Sequence, residues 1–171
     1  LWCKETGCEV ALSEAQAIHK LTKVNHPPNL SCDICIANER HRNLLEEWSK
    51  AFCVECGMDH ELSEIPAQVD RAIKEKSRYL LLVDGKPVCM AGRARETKTG
   101  GTVNYVYTPK PERKKGFASK LVAKLSQTIL DSGKKSVYLY TQLDNPTSNK
   151  IYYDLGYRVI SDSWHILFNY H

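Results

Sequence analysis

The chain has no apolar run long enough to cross a bilayer and no secretory leader with a charged n-region and an apolar h-region. A soluble, cytoplasmic protein with no membrane partner is therefore expected. It also has no long Lys/Arg stripe with interleaved aromatics, so a nucleic-acid duplex is not an expected partner. No internal repeat or low-complexity segment competes with a globular reading. The cysteines number seven, an odd count that argues against a full disulfide framework. The first residue is Leu1 rather than Met, which fits a fragment or a trimmed product.

What is present suits one domain with a sizeable core and an appendage: 171 residues with a modest net charge of +4, arising largely from Lys110 to Lys124. That local excess suits a polyanionic small molecule. The stretch Gly101 to Gly133, GTVNYVYTPKPERKKGFASKLVAKLSQTILDSG, organises the chain. A short apolar strand breaks at Pro109 and Pro111, passes through a basic loop, and becomes an amphipathic helix. Phe117, Leu121, Leu125 and Ile129 recur every four residues as an apolar stripe, with Ala118 and Val122 beside it. Asp131, Ser132 and Gly133 supply the stop.

A helix opening at Gly116 leaves its first backbone N–H groups without partners, where the macrodipole is also positive. Gly116 has no side chain to hold a phosphate away, Ala118 is nearly as small, and Lys110, Arg113, Lys114 and Lys115 add positive potential. A pyrophosphate cradle accounts for these features together; a solvated basic turn accounts for them one at a time.

Along the rest of the chain, Ala15 to Val24 is ambiguous between helix and strand, because Ser13-Glu14-Ala15-Gln16 imitates a capping box. His26-Pro27-Pro28-Asn29 marks a linker. Ser31 to Ala37 is expected as a strand, and Glu39 to Cys56 as a helix with Leu44, Leu45, Trp48 and Phe52 on its core face. Ile65 to Lys76 reads as a second helix with Pro66 in its first turn. Tyr79 to Val83, Asp84-Gly85 and Lys86 to Ala94 read as a hairpin. Ser136 to Thr141 is a further strand, and Asn145 caps a helix with Pro146 in its first turn. Tyr157 to Ile160 and Trp164 to Phe168 are expected as two strands around Ser161-Asp162-Ser163.

Cys32 and Cys35, seventeen intervening residues, then Cys53 and Cys56 formally match a four-thiolate zinc site. The first pair falls on an expected strand, where positions three apart face opposite ways. Free thiols are the expected state, with no metal ligands assigned.

Arg113-Lys114-Lys115-Gly116-Phe117-Ala118 follows the pattern Gln/Arg-x-x-Gly-x-Gly/Ala, and Asn145, Tyr152 and Leu155-Gly156-Tyr157 follow it in order. With both elements present the chain resembles the GNAT superfamily of acyl-CoA-dependent N-acetyltransferases, and YTQLDNPTSNKIYYDLGY is similar to a bacterial branch with an upstream N-terminal domain. The chain departs from that branch at Gln142, where Asp is common. The resemblance implies an α/β (α+β) GNAT fold: a mixed central sheet of six to seven strands flanked by about four helices. It further implies that residues 1–29 are an N-terminal extension or the tail of an upstream domain, with the acetyltransferase domain in 30–171.

The resemblance also implies acetyl-CoA as acyl-donor cosubstrate, a small-molecule or protein amine as acceptor, and the homodimer common in the family. Val106, Tyr107 and Thr108 are then expected to offer backbone groups to the pantetheine arm. Arg113, Lys114, Lys115, Gly116, Phe117, Ala118 and Ser119 hold the pyrophosphate, and Asn145 contacts the pantetheine or the start of the tyrosine's helix. Tyr152 is the expected proton donor to the CoA sulfur, with Tyr153 its neighbouring rival. A phenol of pKa about 10 can protonate a thiolate of reference pKa about 8.5. For the base that frees the amine, Glu55, Asp59, His60 and Asp144 are candidates without a motif. No cysteine sits in the motifs as a nucleophile, so direct attack in a ternary complex is the expected route. A non-catalytic acyl-CoA sensor and a zinc-dependent interaction domain are the competing readings.

Overall fold

The computed structural model describes residues 5–29 and 32–169, apart from the side chain of Leu12. Seven strands form one mixed sheet: β1 (Glu9–Leu21), β2 (Asp33–Ile36), β3 (Arg78–Val83), β4 (Lys86–Ala94), β5 (Gly100–Tyr107), β6 (Ser136–Gln142) and β7 (Arg158–Asn169). Their order across the sheet is β2-β3-β4-β5-β6-β1-β7. Among the described residues only β5 and β6 run parallel; the other neighbours are antiparallel.

Helices cover both faces. Helix α1 (Arg42–Glu55) and α2 (Ile65–Lys74) pack on one side around Leu45, Trp48, Ile65, Val69, Leu80 and Met90. Trp48 is thus a core residue, and Phe52 leans on Tyr105 with ring centres 4.9 Å apart. Helix α3 (Phe117–Asp131) and α4 (Pro146–Asp154) pack on the other side around Leu81, Val103, Leu121, Leu125, Ile129, Leu139 and Tyr157. Leu121, Leu125 and Ile129 of the α3 stripe are buried and Phe117 is half-buried against them, because this is the helix's wide apolar face. The β3–β4 hairpin turns through Asp84 and Gly85, at φ +50° and +74°, as an Asp-Gly turn with two left-handed residues requires.

The helix-or-strand ambiguity over Ala15 to Val24 resolves as strand: residues 9–21 form β1, paired with β6 on one side and β7 on the other. The capping-box imitation at Ser13 loses to this ladder: Ala17 and Leu21 are almost completely buried on the α3/α4 face. The two strands expected over 157–168 are not divided by a turn. Ser161, Asp162 and Ser163 pair with Ile18, Ala17 and Gln16, so β7 is one continuous strand. Those polar residues resemble a turn only while no partner strand is in view. Ser31, expected to begin β2, lies outside the described residues, as does Cys3.

Candidate active site

The parallel pair β5–β6 is hydrogen-bonded only from Gly100/Ser136 to Thr102/Tyr138. Beyond that point Val103–Tyr107 has no β6 partner, and the two strands diverge toward their C-terminal ends. A register shift adds to this: between the pairs Met90↔Tyr107 and Gly92↔Asn104, three steps on β5 oppose two on β4, with Tyr105 at φ +48°. Such a bulge bends its strand and re-aims the neighbouring groups. The result is a V-shaped opening whose free backbone edge runs through Val106 and Tyr107, and Thr108 follows at its end. Backbone donors and acceptors on such an edge call for a partner.

Beside the mouth, α3 begins at Gly116, in the left-handed conformation at φ +77°, with no side-chain cap. A Cβ placed at Gly116 would meet nothing within 4 Å, so the space before the helix is open. The N–H groups of Phe117, Ala118 and Ser119 precede the first intrahelical bond, from Lys120 N to Gly116 O at 3.1 Å. Lys114, at φ +64°, is fully on the surface, as is Lys110. Arg113 is engaged otherwise. Its guanidinium is 2.6 Å from Glu55 Oε2, its Nε donates to Thr108 O at 2.8 Å, and it lies over the Tyr107 ring. Lys115 pairs with Glu112 at 2.9 Å. The backbone of this loop is therefore free toward an anion, while two of its four cations are held by carboxylates.

At the opposite wall, Asn145 caps α4 by accepting from Ser148 N at 3.0 Å. Tyr152 is 8 % exposed and Tyr153 is 60 % exposed, which separates the two rivals. Burial pushes the Tyr152 phenol above its ordinary pKa, with Tyr157, Cys89 and Cys56 adding to the shift, so it holds its proton. Tyr153 points outward and stacks under Arg158 at 4.1 Å. His19 of β1 approaches Tyr152 edge-on, its Nε2 3.0 Å from Thr141 Oγ1. Burial lowers the His19 pKa, consistent with a neutral ring. Cys89, fully buried below the opening, has its thiol pushed up to about 12 by burial and accepts a bond from Thr108 Oγ1 at 3.2 Å.

On the α1/α2 face lie Tyr105, Gln68 and Arg78, which sequence alone did not single out. The Tyr105 hydroxyl donates to Gln68 and lies 3.4 Å from Glu61. The Arg78 guanidinium is buried 4.2 Å from the Tyr105 ring centre, and its Nε and Nη1 have no hydrogen-bond partner. Desolvation lowers its pKa to about 10. Gln142 donates to Cys56 O at 3.1 Å, an amide tying β6 to the end of α1. Glu55, a candidate base, is held by Arg113; Asp144 is exposed in the turn before α4. Among the described residues, no three His, Cys, Asp or Glu side chains converge to hold a metal ion. Cys32 and Cys35 pack against opposite hydrophobic clusters, as strand alternation requires.

The family model for FR47-like proteins matches residues 79–166, more than half of the chain. No curated protein matches the sequence. Among solved structures, the chain is similar to a GNAT-family acetyltransferase from Novosphingobium aromaticivorans, at 20% identity and a TM-score of 0.69, covering 96% of this chain and 68% of that one. It is similar to a GNAT-family acetyltransferase from Colwellia psychrerythraea, at 13% identity and a TM-score of 0.67, covering 93% of this chain but only 57% of that one. An aminoglycoside N-acetyltransferase bound to the bisubstrate analogue CoA-S-monomethyl-acetylneamine also matches, at 17% identity and a TM-score of 0.63, over 77% of this chain and 96% of that one. The chain thus spans little more than half to two thirds of the first two structures. The sequence match over β3 to β7 shows that the chain belongs to the FR47-like family, and its fold is the one those GNAT-family acetyltransferase structures share.

Proposed function

We propose that the chain is an acetyl-CoA-dependent N-acetyltransferase that moves an acetyl group from CoA to a primary amine by direct attack in a ternary complex. One observation carries this reading: the opening between β5 and β6 lies beside an uncapped helix N-terminus with empty space before Gly116. An extended thioester arm ending in a pyrophosphate fits that pair of features, because an arm laid along Val106–Thr108 satisfies a free strand edge. Its phosphates then meet the N–H groups of Phe117 to Ser119. The neighbour bound to a CoA bisubstrate analogue supports the same assignment.

The residues divide the work. The β5 edge fixes the thioester, and holding the reactants in place lowers the barrier by making attack unimolecular. Tyr152 gives its proton to the leaving thiolate; burial keeps that phenol protonated at any working pH. Asn145 fixes the start of the helix that carries it. Cys89 and Cys56 have raised pKa values and are neutral thiols, which supports direct attack over an acyl-cysteine intermediate.

Calorimetric titration with acetyl-CoA tests the cofactor site, comparing the protein as it stands with Gly116→Glu. The expected result is binding that falls by ~10²-fold or more when a carboxylate occupies the phosphate position. Equal binding by both proteins, or none by the folded parent, overturns the reading.

A further inference from the structure

A primary alkyl amine of pKa about 10.4 is free at pH 7 in only about one part in 2,500, so acetyl transfer to it calls for a proton acceptor. This inference rests on the acetyltransferase reading. Of the four carboxylates and imidazoles that the sequence offers for that step, Glu55 is held by Arg113 and Asp144 is exposed in the turn before α4. Asp59 and His60 lie in the 3-10 segment after α1, near two residues with no sequence signal. We propose that His165 is the base that deprotonates the amine, and that Glu14 positions it.

Glu14 and His165 stand directly opposite each other on β1 and β7, at a register where both side chains share the α1/α2 face. His165 Nδ1 is 3.6 Å from Glu14 Oε2. Both side chains are sheltered yet reachable, 28 % and 20 % exposed. The Oε2 atom is itself buried and accepts no hydrogen bond, an arrangement that an arriving ammonium or a protonated imidazole would satisfy. On the other side, the carboxylate presses on the turn after α1: a Cβ at Gly57 would lie 3.4 Å from Oε1. A carboxylate beside Nδ1 favours the tautomer with the proton on that nitrogen, leaving the lone pair of Nε2 for the amine.

The pair adjoins the C-terminal end of β6 through Gln142. That amide donates to Cys56 O at 3.1 Å and lies opposite Gln16, the next residue on Glu14's side of β1. The other groups facing His165 come from the 3-10 segment: His60, whose ring centre is 5.8 Å away, and Glu61, 4.0 Å from His60, with Asp59 beside them. Gln16 and Ser163 are the uncharged neighbours on β1 and β7. The acidic surroundings suit an alkylammonium acceptor.

The proton count closes. The ammonium gives one proton to His165, which passes it to solvent. The amine lone pair then forms the C–N bond as the C–S bond breaks. The proton that Tyr152 gives to the thiolate is replaced by the one lost from the tetrahedral nitrogen.

Thiol release from acetyl-CoA with neamine, spermidine and free lysine as acceptors tests the pair, with acetyl-CoA affinity measured separately by calorimetry. His165→Gln is expected to keep acetyl-CoA affinity within about twofold and to lower kcat/KM by ~10²-fold at pH 7. The loss should shrink about tenfold per pH unit and vanish at about pH 9, as the amine frees itself. Glu14→Gln should lose ~10-fold, with its pH–rate profile displaced, and should add little to His165→Gln. Retained rates in His165→Gln with intact acetyl-CoA binding overturn the pair and leave the acetyltransferase reading standing. A parent protein that binds no acetyl-CoA overturns that reading and the pair with it. A parent that binds acetyl-CoA but acetylates none of the three amines overturns the pair as the base for an alkylammonium.

Discussion

The two halves of the sheet are built from different kinds of information. From β3 to α3 the elements follow one another in sequence, and β3, β4 and β5 each pair with the next strand along the chain before the loop leads into the helix. At the other side, β7 closes the chain's order but pairs with β1, whose residues lie about 150 positions earlier, as in Glu14↔His165. The first half places the proposed cofactor groups on local backbone geometry, with Gly116 at a left-handed helix start and a bulge at Tyr105. The second half places the proposed amine-handling groups through one long-range ladder. Local rules therefore suffice for one substrate and fail for the other.

Removing β1 breaks the comparison most completely. A chain of residues 30–171 would expose both the β6 edge and the inner edge of β7, together with the apolar surface that Ala17 and Leu21 cover. It is expected to lose cooperative thermal unfolding, read by circular dichroism. A sharp melt in that variant would show that β1 is an accessory strand. Next in size, Tyr152→Phe is expected to lower turnover by ~10²-fold with acetyl-CoA affinity unchanged. Tyr153→Phe, altering an exposed ring, should stay within about twofold, and equal losses in the two would remove the assignment to Tyr152.

A smaller effect belongs to the junction of α3 with β7. The Tyr157 hydroxyl and Ser126 Oγ share a fully buried hydrogen bond of 2.7 Å. Tyr157→Phe leaves the serine hydroxyl without its partner and should cost about 1–3 kcal/mol in chemical denaturation; a loss below a few tenths would mean that Ser126 finds another acceptor. The smallest effect is on pH dependence. Burial lowers the His19 pKa in the fold, so below the unfolded value of about 6.5 the unfolded chain binds a proton that the native ring resists. Stability should then fall as pH drops through that value, by at most about 1.4 kcal/mol per unit until the folded ring also protonates. His19→Gln should flatten this slope between pH 7 and 5, and an unchanged slope would assign it to the carboxylates.

Particular residues show why some of this was readable. Gly116 announces its role because a left-handed helix start with open space favours glycine. The four-residue stripe of α3 and the Asp84-Gly85 turn are equally local signals. Ser13-Glu14-Ala15-Gln16 misleads for the same reason, since a capping box can be recognised without knowing that β6 and β7 are waiting. Ser161-Asp162-Ser163 has turn composition and becomes the middle of a strand once Ile18, Ala17 and Gln16 lie opposite. Arg113 is a basic residue in a basic loop until Glu55, fifty-eight positions away, takes its guanidinium. Glu14 and His165 carry no motif, and only their cross-strand register brings them together.

By itself, then, the sequence determined the αβ alternation, the Gly116 turn, the α3 stripe, the Asn145 cap and the candidacy of Tyr152, all of which depend on spacing within a few residues. The tertiary structure alone decided that residues 9–21 complete the sheet, that Tyr152 is sheltered while Tyr153 is not, and that a carboxylate and an imidazole stand opposite each other on β1 and β7. The physical reason is range: backbone conformation and helix periodicity act over one or two turns, whereas strand pairing, desolvation and ion-pair choice depend on which distant residues the closed sheet brings within a few ångströms.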